Sequence, residues 1–247
     1  MMLSNNNAEH TKRPVNIVIT GASKGMGMAM VEKFAAGGNN IILCSRNQEQ
    51  LKATTDRIQN EYPNSRLFDY AADLSVEEQL DNFSAQVLKQ FNQVDILINN
   101  AGQFIPGSIY NEAAGVLEQM LAVNLLSAYH LTRKFLPSMM ALKSGHIINI
   151  CSIASMKAYA NGGSYSISKF ALMGFSKNLR EELKPYNIKV TSVYPGAVYT
   201  ASWEGSGVDP NRIMEVDDIA DMILASTKLS PQACVEDIII RPILGDL

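Results

Sequence analysis

Tyr165 and Lys169 stand four positions apart in Gly163-Ser-Tyr-Ser-Ile-Ser-Lys169, and Ser152 closes the apolar run His146-Ile-Ile-Asn-Ile-Cys-Ser152. On a helix over 163–184, that spacing puts the phenol and the ammonium on one face. A nearby cation favours the phenolate, so the chemistry open to this pair is proton transfer at a phenolic oxygen. Bringing a phenol from a pKa of about 10 to neutrality takes about 4 kcal/mol, roughly what one charge at ~4 Å supplies at an effective dielectric of about 20. Ser152 would hold a reacting oxygen beside it. Tyr-x-x-x-Lys alone arises often by chance, so its meaning depends on what the rest of the chain places around it.

Near the N-terminus the β-branched run Asn16-Ile-Val-Ile-Thr20 reads as a buried strand. It feeds into Gly21-Ala-Ser-Lys-Gly25-Met-Gly27, after which Met28-Ala-Met-Val-Glu-Lys-Phe-Ala has helical periodicity. Strand, glycine turn and helix together make a dinucleotide-binding context: glycines let the backbone approach a pyrophosphate, and the helix N-terminus offers free N–H groups. The spacing is G-x-x-x-G-x-G, so the G-x-G-x-x-G fingerprint does not match.

With these motifs the chain resembles the short-chain dehydrogenase/reductase family. Thr20-Gly-x-x-x-Gly-x-Gly27 is similar to that family's cofactor turn, and Asp95-Ile-Leu-Ile-Asn-Asn-Ala-Gly102 to its fourth strand and the motif that follows. Asn124, Ser152, Tyr165 and Lys169 match its catalytic tetrad, and Pro195-Gly196 matches the turn after the sixth strand. The resemblance covers roughly residues 14–241 and implies a dinucleotide held at several strand ends. These are Gly21, Ser23, Lys24, Gly25, Met26 and Gly27 in the first turn, Ser45 and Arg46 after the second strand, and Asp73 and Leu74 after the third. Asn100, Ala101 and Gly102 follow the fourth strand, Pro195, Gly196, Val198 and Thr200 the sixth, and Tyr165 and Lys169 complete the set.

Alternation along the chain gives the same architecture from the residues alone. Strands are expected at 15–20, 40–44, 66–70, 94–99, 146–151, 188–193 and 236–240. Helices are expected at 25–37, 47–61, 76–91, 112–142, 163–184 and 216–228. This order predicts an α/β, Rossmann-type doubly wound parallel sheet of seven strands with helices on both faces. Right-handed crossovers put the C-terminal ends of all strands on one edge, where ligands bind, so the scattered motifs become one site.

Composition fits a water-soluble enzyme. The 247 residues are 47% hydrophobic and 18% charged, with a formal charge of −3 that offers no broad attraction to nucleic acid. No apolar stretch approaches the ~20 residues of a membrane span, and the first residues lack the form of a secretory signal, so a cytoplasmic location is expected. Residues 1–13 read as a flexible polar tail and 14–247 as a single catalytic domain. Cys44, Cys151 and Cys234 have no metal-ligand spacing and their odd number argues against a disulfide framework; no metal site is expected.

The segment Ile41-Ile-Leu-Cys-Ser45-Arg46-Asn47 ends without the acid that would bond a ribose 2′-OH. A guanidinium matches a 2′-phosphate bidentately and Lys24 adds a second cation, so NADP(H) is favoured over NAD(H). Asp73 reads either as an adenine contact, by resemblance, or as part of the start of helix 76–91. The implied reaction joins hydride transfer between cofactor and a carbonyl or alcohol carbon to proton exchange at Tyr165. In it Lys169 contacts the ribose and lowers the Tyr165 pKa, and Asn124 anchors a water.

Around the expected pocket lie Gln103-Phe-Ile-Pro106, Ile153-Ala-Ser-Met-Lys-Ala-Tyr159 and Ala197-Val-Tyr-Thr-Ala-Ser-Trp203 with the stretch to Met214. Phe104, Ile105, Met156, Tyr159, Val198, Tyr199 and Trp203 make this lining apolar, with Lys157 and Arg212 its only cations, so a small, largely apolar carbonyl or secondary alcohol is expected. A 3-oxoacyl-carrier-protein reductase is an alternative, although the close at Ile238-Ile-Ile-Arg-Pro242 lacks that group's Asn-Gly-Gly. A non-catalytic NADP(H) sensor or scaffold is the other alternative, and the complete tetrad argues against it. Apolar positions in helices 112–142 and 163–184 exceed one sheet-facing stripe, which predicts a homodimer or homotetramer, as the resemblance also implies.

Overall fold

The computed structural model describes residues 13–200, 203 and 207–246. The tail expected at 1–13 therefore lies, apart from Arg13, outside the described residues, as do Ala201 and Ser202 of the expected pocket lining. Seven parallel strands form one sheet: β1 Asn16–Thr20, β2 Asn40–Ser45, β3 Arg66–Ala71, β4 Ile96–Asn99, β5 Gly145–Ile150, β6 Ile188–Pro195 and β7 Asp237–Ile240. Their spatial order is β3-β2-β1-β4-β5-β6-β7. The direction of winding reverses between β1 and β4, which opens a crevice at the carboxyl ends of those two strands.

Both sheet faces are apolar because successive side chains of a strand point to opposite sides. Ile17, Ile19, Ile41, Leu43, Ile96 and Ile98 enter one core layer, whereas Val18, Ile42, Cys44 and Leu97 enter the other. Helices α1 Gly25–Ala35, α2 Gln48–Glu61 and α7 Val216–Thr227 supply the first layer with residues such as Met30, Phe34, Leu51 and Ile223. Helices α3 Glu77–Gln90, α5 Ser127–Leu142 and α6 Gly163–Leu183 supply the second, through Phe83, Val87, Phe135 and Leu179. The expected doubly wound fold is thus present with all seven strands near their expected positions.

The long helix expected at 112–142 differs. Helix α4 begins only at Val116, because Gly115 adopts φ 87°, a left-handed conformation that ends any continuous helix through it. Residues Val116–Leu121 are α-helical, Ala122–Leu126 form a π-turn, and α5 follows. The π-turn holds Asn124, and such insertions re-aim side chains at functional positions. Among the described residues, no helix is long and apolar enough to cross a membrane.

Candidate active site

Thr20, the last residue of β1, ties the two central strands together. Its hydroxyl accepts hydrogen bonds from Asn100 N at 3.0 Å and Ala101 N at 2.9 Å, while the Asn100 amide donates to the carbonyls of Thr20 and Gly21. The glycine turn is packed onto this bracket. Gly21 has φ 64°, and a Cβ on Gly27 would lie 2.1 Å from the Gly21 carbonyl oxygen, so α1 reaches the turn only because residue 27 is glycine.

A cleft of ≈ 280 Å³ runs over that bracket. Its wall includes the whole glycine turn from Gly21 to Gly27 except the buried Ala22, then Ser45, Arg46, Asp73, Leu74, Asn100, Ala101, Gly102 and Thr200. Cys44, Ala72, Ser75, Val123 and Ser127 also line it, and the sequence carried no signal for them beyond their adjacency to strand ends or to Asn124. The Asp73 carboxylate accepts from Ser75 N at 3.0 Å and Ser75 Oγ at 2.6 Å, so it shapes the turn ahead of α3 as well as facing the cleft.

Gly102 marks the inner end of the cleft. A Cβ there would lie 3.3 Å from Asn124 Oδ1 and 3.6 Å from Lys169 Nζ, so the expected tetrad begins where the expected cofactor wall stops. The Asn124 side chain accepts from Gln103 N at 2.7 Å and donates to Gln103 O and to Ser168 Oγ, each at 2.9 Å. Ser168 in turn donates to the Tyr165 carbonyl at 2.7 Å. The Asn124 amide is therefore spent on protein groups.

Ser152 follows β5 in extended conformation and caps the 3-10 turn Ile153–Ser155, accepting from Ala154 N at 3.1 Å. Its side chain lies close enough to the Tyr165 phenol to favour ionisation of that phenol, yet burial outweighs this and Tyr165 is raised above the usual phenol range. The expectation of a Tyr165 lowered by Lys169 is thus corrected. The Lys169 ammonium is 5.9 Å from the Tyr165 ring centre and donates instead to Ile150 O at 2.8 Å; burial brings its own pKa down to about 8. Phe104 packs edge-on against the Tyr165 ring with centres 4.9 Å apart.

The short chain dehydrogenase family matches residues 15–210. The chain belongs to the short-chain dehydrogenase/reductase family. It is 29% identical over 226 residues to an uncharacterized oxidoreductase of Staphylococcus epidermidis, covering 92% of this chain and 96% of the relative. Among solved structures it is similar to an alcohol dehydrogenase from the archaeon Thermococcus sibiricus complexed with 5-hydroxy-NADP, at 27% identity and TM-score 0.85, covering 93% of this chain and 97% of that one. It is also similar to a metagenomic short-chain oxidoreductase in complex with NADP, at 32% identity and TM-score 0.79, covering 92% and 96%. The protein is a dehydrogenase/reductase of the class that acts on CH–OH groups, with a nicotinamide cofactor.

For a member of this family the cleft suits a dinucleotide. Helix α1 has neither a side-chain cap nor an acidic residue in its first turn, which leaves its N–H groups and positive end for an anion. Arg46 and Lys24 are exposed at the rim, and neither side chain has a hydrogen-bond or ion-pair partner among the described residues. Two sequence assignments stand differently in the fold. Val198 is buried in the core beside β6 and pairs with Met214, which leaves only its backbone for a ligand and removes its side chain from the pocket lining. Arg212 donates to the carbonyls of Gly245, Leu244 and Asp246, so its guanidinium holds the C-terminal turn.

Proposed function

We propose that this enzyme is NADP(H)-dependent and interconverts a carbonyl with a secondary alcohol, using Tyr165 as the proton donor and acceptor. The observation that carries the reading is the convergence of Ser152, Tyr165 and Lys169 at the inner end of a glycine-walled cleft. The glycine turn and the α1 N-terminus would hold the pyrophosphate, Asp73 and Leu74 would flank the adenine, and the segment from Pro195 and Gly196 to Val198 and Thr200 would border the nicotinamide. Asn100, Ala101 and Gly102 would form the floor.

Bound NADPH supplies the hydride for the carbonyl carbon. The Ser152 and Tyr165 hydroxyls hydrogen-bond the carbonyl oxygen, and Tyr165 delivers its proton there as negative charge develops. A phenol raised by burial stays protonated at neutral pH, the form that reduction requires. Lys169, with a pKa of about 8, is mainly charged at neutral pH and would hold the ribose hydroxyls. Asn124 fixes the Gln103 backbone and Ser168, which keeps the loop after β4 against α6.

Arg46 and Lys24, beside the ends of β2 and β1 and without partners among the described residues, support NADP(H) over NAD(H). Phe104, which packs on the Tyr165 ring, is exposed, as are Met156, Tyr159 and Tyr199 of the segments expected to line the pocket; such side chains reward burial of hydrocarbon, while Arg212 is committed elsewhere. The substrate is therefore a small or medium-sized, largely apolar ketone, aldehyde or secondary alcohol, handled by one domain over 14–247. A panel of neutral carbonyls, multiply charged carbonyls and 3-oxoacyl thioesters, followed by NADPH absorbance, tests this. The highest kcat/KM should fall on a neutral carbonyl; a preference for sugar phosphates would reject the apolar pocket, and one for the thioesters would favour a carrier-protein reductase.

A further inference from the structure

The first turn of α6 has a glycine at its N-cap, Gly162, which supplies no capping side chain. The missing acceptor comes from far away in sequence. Glu112 Oε1 accepts from Ser164 N at 2.9 Å, and Glu112 Oε2 accepts from the Ser164 hydroxyl. A carboxylate is favoured at the positive end of a helix, and bonds to it are stronger than neutral ones.

The surrounding chain is shaped to let this carboxylate in. Gly163 has φ 22°, and a Cβ there would lie 2.0 Å from Glu112 Oε1 and 2.5 Å from the Gly107 carbonyl oxygen, so no side chain is tolerated at that position. Gly107 N donates to Asn161 O at 3.1 Å, Ser108 Oγ to Asn161 Oδ1 at 2.9 Å, and Glu112 N back to Ser108 O at 2.9 Å. Asn124 pins the other end of the same loop at Gln103. The loop 103–112 is thus fastened at both ends to the surroundings of Tyr165, with Phe104 against the phenol ring between them. Glu112 is its only charged residue.

We propose that Glu112 is a positioning residue for catalysis: by fastening Ser164, the residue before Tyr165, it fixes where the phenol meets the substrate oxygen. This rests on Tyr165 being the proton donor. The β6 contacts and core residues of α6, such as Leu172, Leu179 and Leu183, hold the helix independently of its first turn, so loss of the carboxylate leaves the fold and shifts the phenol.

The test uses the full-length enzyme with NADPH and its best neutral carbonyl, comparing Glu112→Ala, Glu112→Gln, Ser164→Ala and Tyr165→Phe. Glu112→Ala should lower kcat about tenfold or more, as small misplacements of a reacting group do. NADPH affinity should stay within about twofold, because the cleft wall is untouched. The solvent deuterium isotope effect on kcat should rise, since proton transfer takes a larger share of the limiting step; a smaller folded fraction scales kcat and leaves that ratio unchanged. Glu112→Gln keeps an oxygen for Ser164 N and should recover most of the loss. Ser164→Ala removes one of the two bonds and should fall between, which decides the matter even if Glu112→Ala does not fold. Full activity in Glu112→Ala or Ser164→Ala, or a loss with an unchanged isotope effect, overturns the proposal. An active Tyr165→Phe would instead reject the catalytic reading beneath it.

Discussion

The Lys169 ammonium, only 5% exposed, donates to the Ile150 carbonyl at 2.8 Å and so joins α6 to the end of β5. Burial is the main reason its pKa falls to about 8, well below the usual lysine range. Below pH 8 the folded protein holds this proton less tightly than the unfolded chain does, at a cost of about 3 kcal/mol. Between about pH 8 and 10.5 the unfolded state binds more protons, so stability from this group rises with pH. Lys169→Met should abolish turnover without a large fall in stability at pH 7, because relief of that cost offsets the about 1–3 kcal/mol of an unpaired Ile150 carbonyl. Denaturant titrations should then show the parent gaining on the variant by about 3 kcal/mol from pH 7 to 10.5. A constant gap would mean that the lysine is not buried as a charge.

Arg46 and Lys24 face the same cleft from the ends of β2 and β1. Replacing the guanidinium by a carboxylate in Arg46→Asp should weaken NADPH binding by about tenfold or more and strengthen NADH binding, since charge-assisted pairing to a 2′-phosphate is replaced by repulsion. Calorimetry with both cofactors reads this directly, and an unmutated protein that binds NADH more tightly would reject the assignment.

Leu126 at the end of the π-turn, Tyr129 of α5, and Ile167 and Phe170 of α6 are exposed rather than turned to the sheet. We expect these side chains to be covered by a second copy, in a dimer or tetramer built through α5 and α6. Light scattering at micromolar concentration should give a multiple of the 27.1 kDa chain, and Phe170→Asp should reduce it toward the monomer. A monomeric parent would remove the interface.

The sheet was legible because each central strand is apolar on both faces, as Ile17, Val18 and Ile19 show by entering opposite core layers. The grouping of the candidate site residues was legible because they sit next to strand ends or at helical spacing, which fixes their neighbourhood without any long-range contact. Glu112 could not be found that way: its partner Ser164 is 52 positions distant, and periodicity alone assigns it to a helix that Gly115 prevents. The direction of the Tyr165 shift was also beyond the sequence. Spacing places a cation near the phenol, but only the fold shows that burial outweighs the neighbours and that the ammonium is turned to Ile150. Arg212 failed for a related reason, since nothing local indicates three carbonyl acceptors at 244–246.

Proton delivery by Tyr165 is the centre of the account, and Tyr165→Phe removes that one hydroxyl while keeping the ring against Phe104. The direct measurement is steady-state reduction of the best carbonyl by parent and variant, beside NADPH binding by each. Unchanged NADPH affinity is expected, with kcat lower by about 100-fold or more, the range lost with a general acid. Turnover by Tyr165→Phe within a few-fold of the parent would contradict it, because the proton would then come from another group.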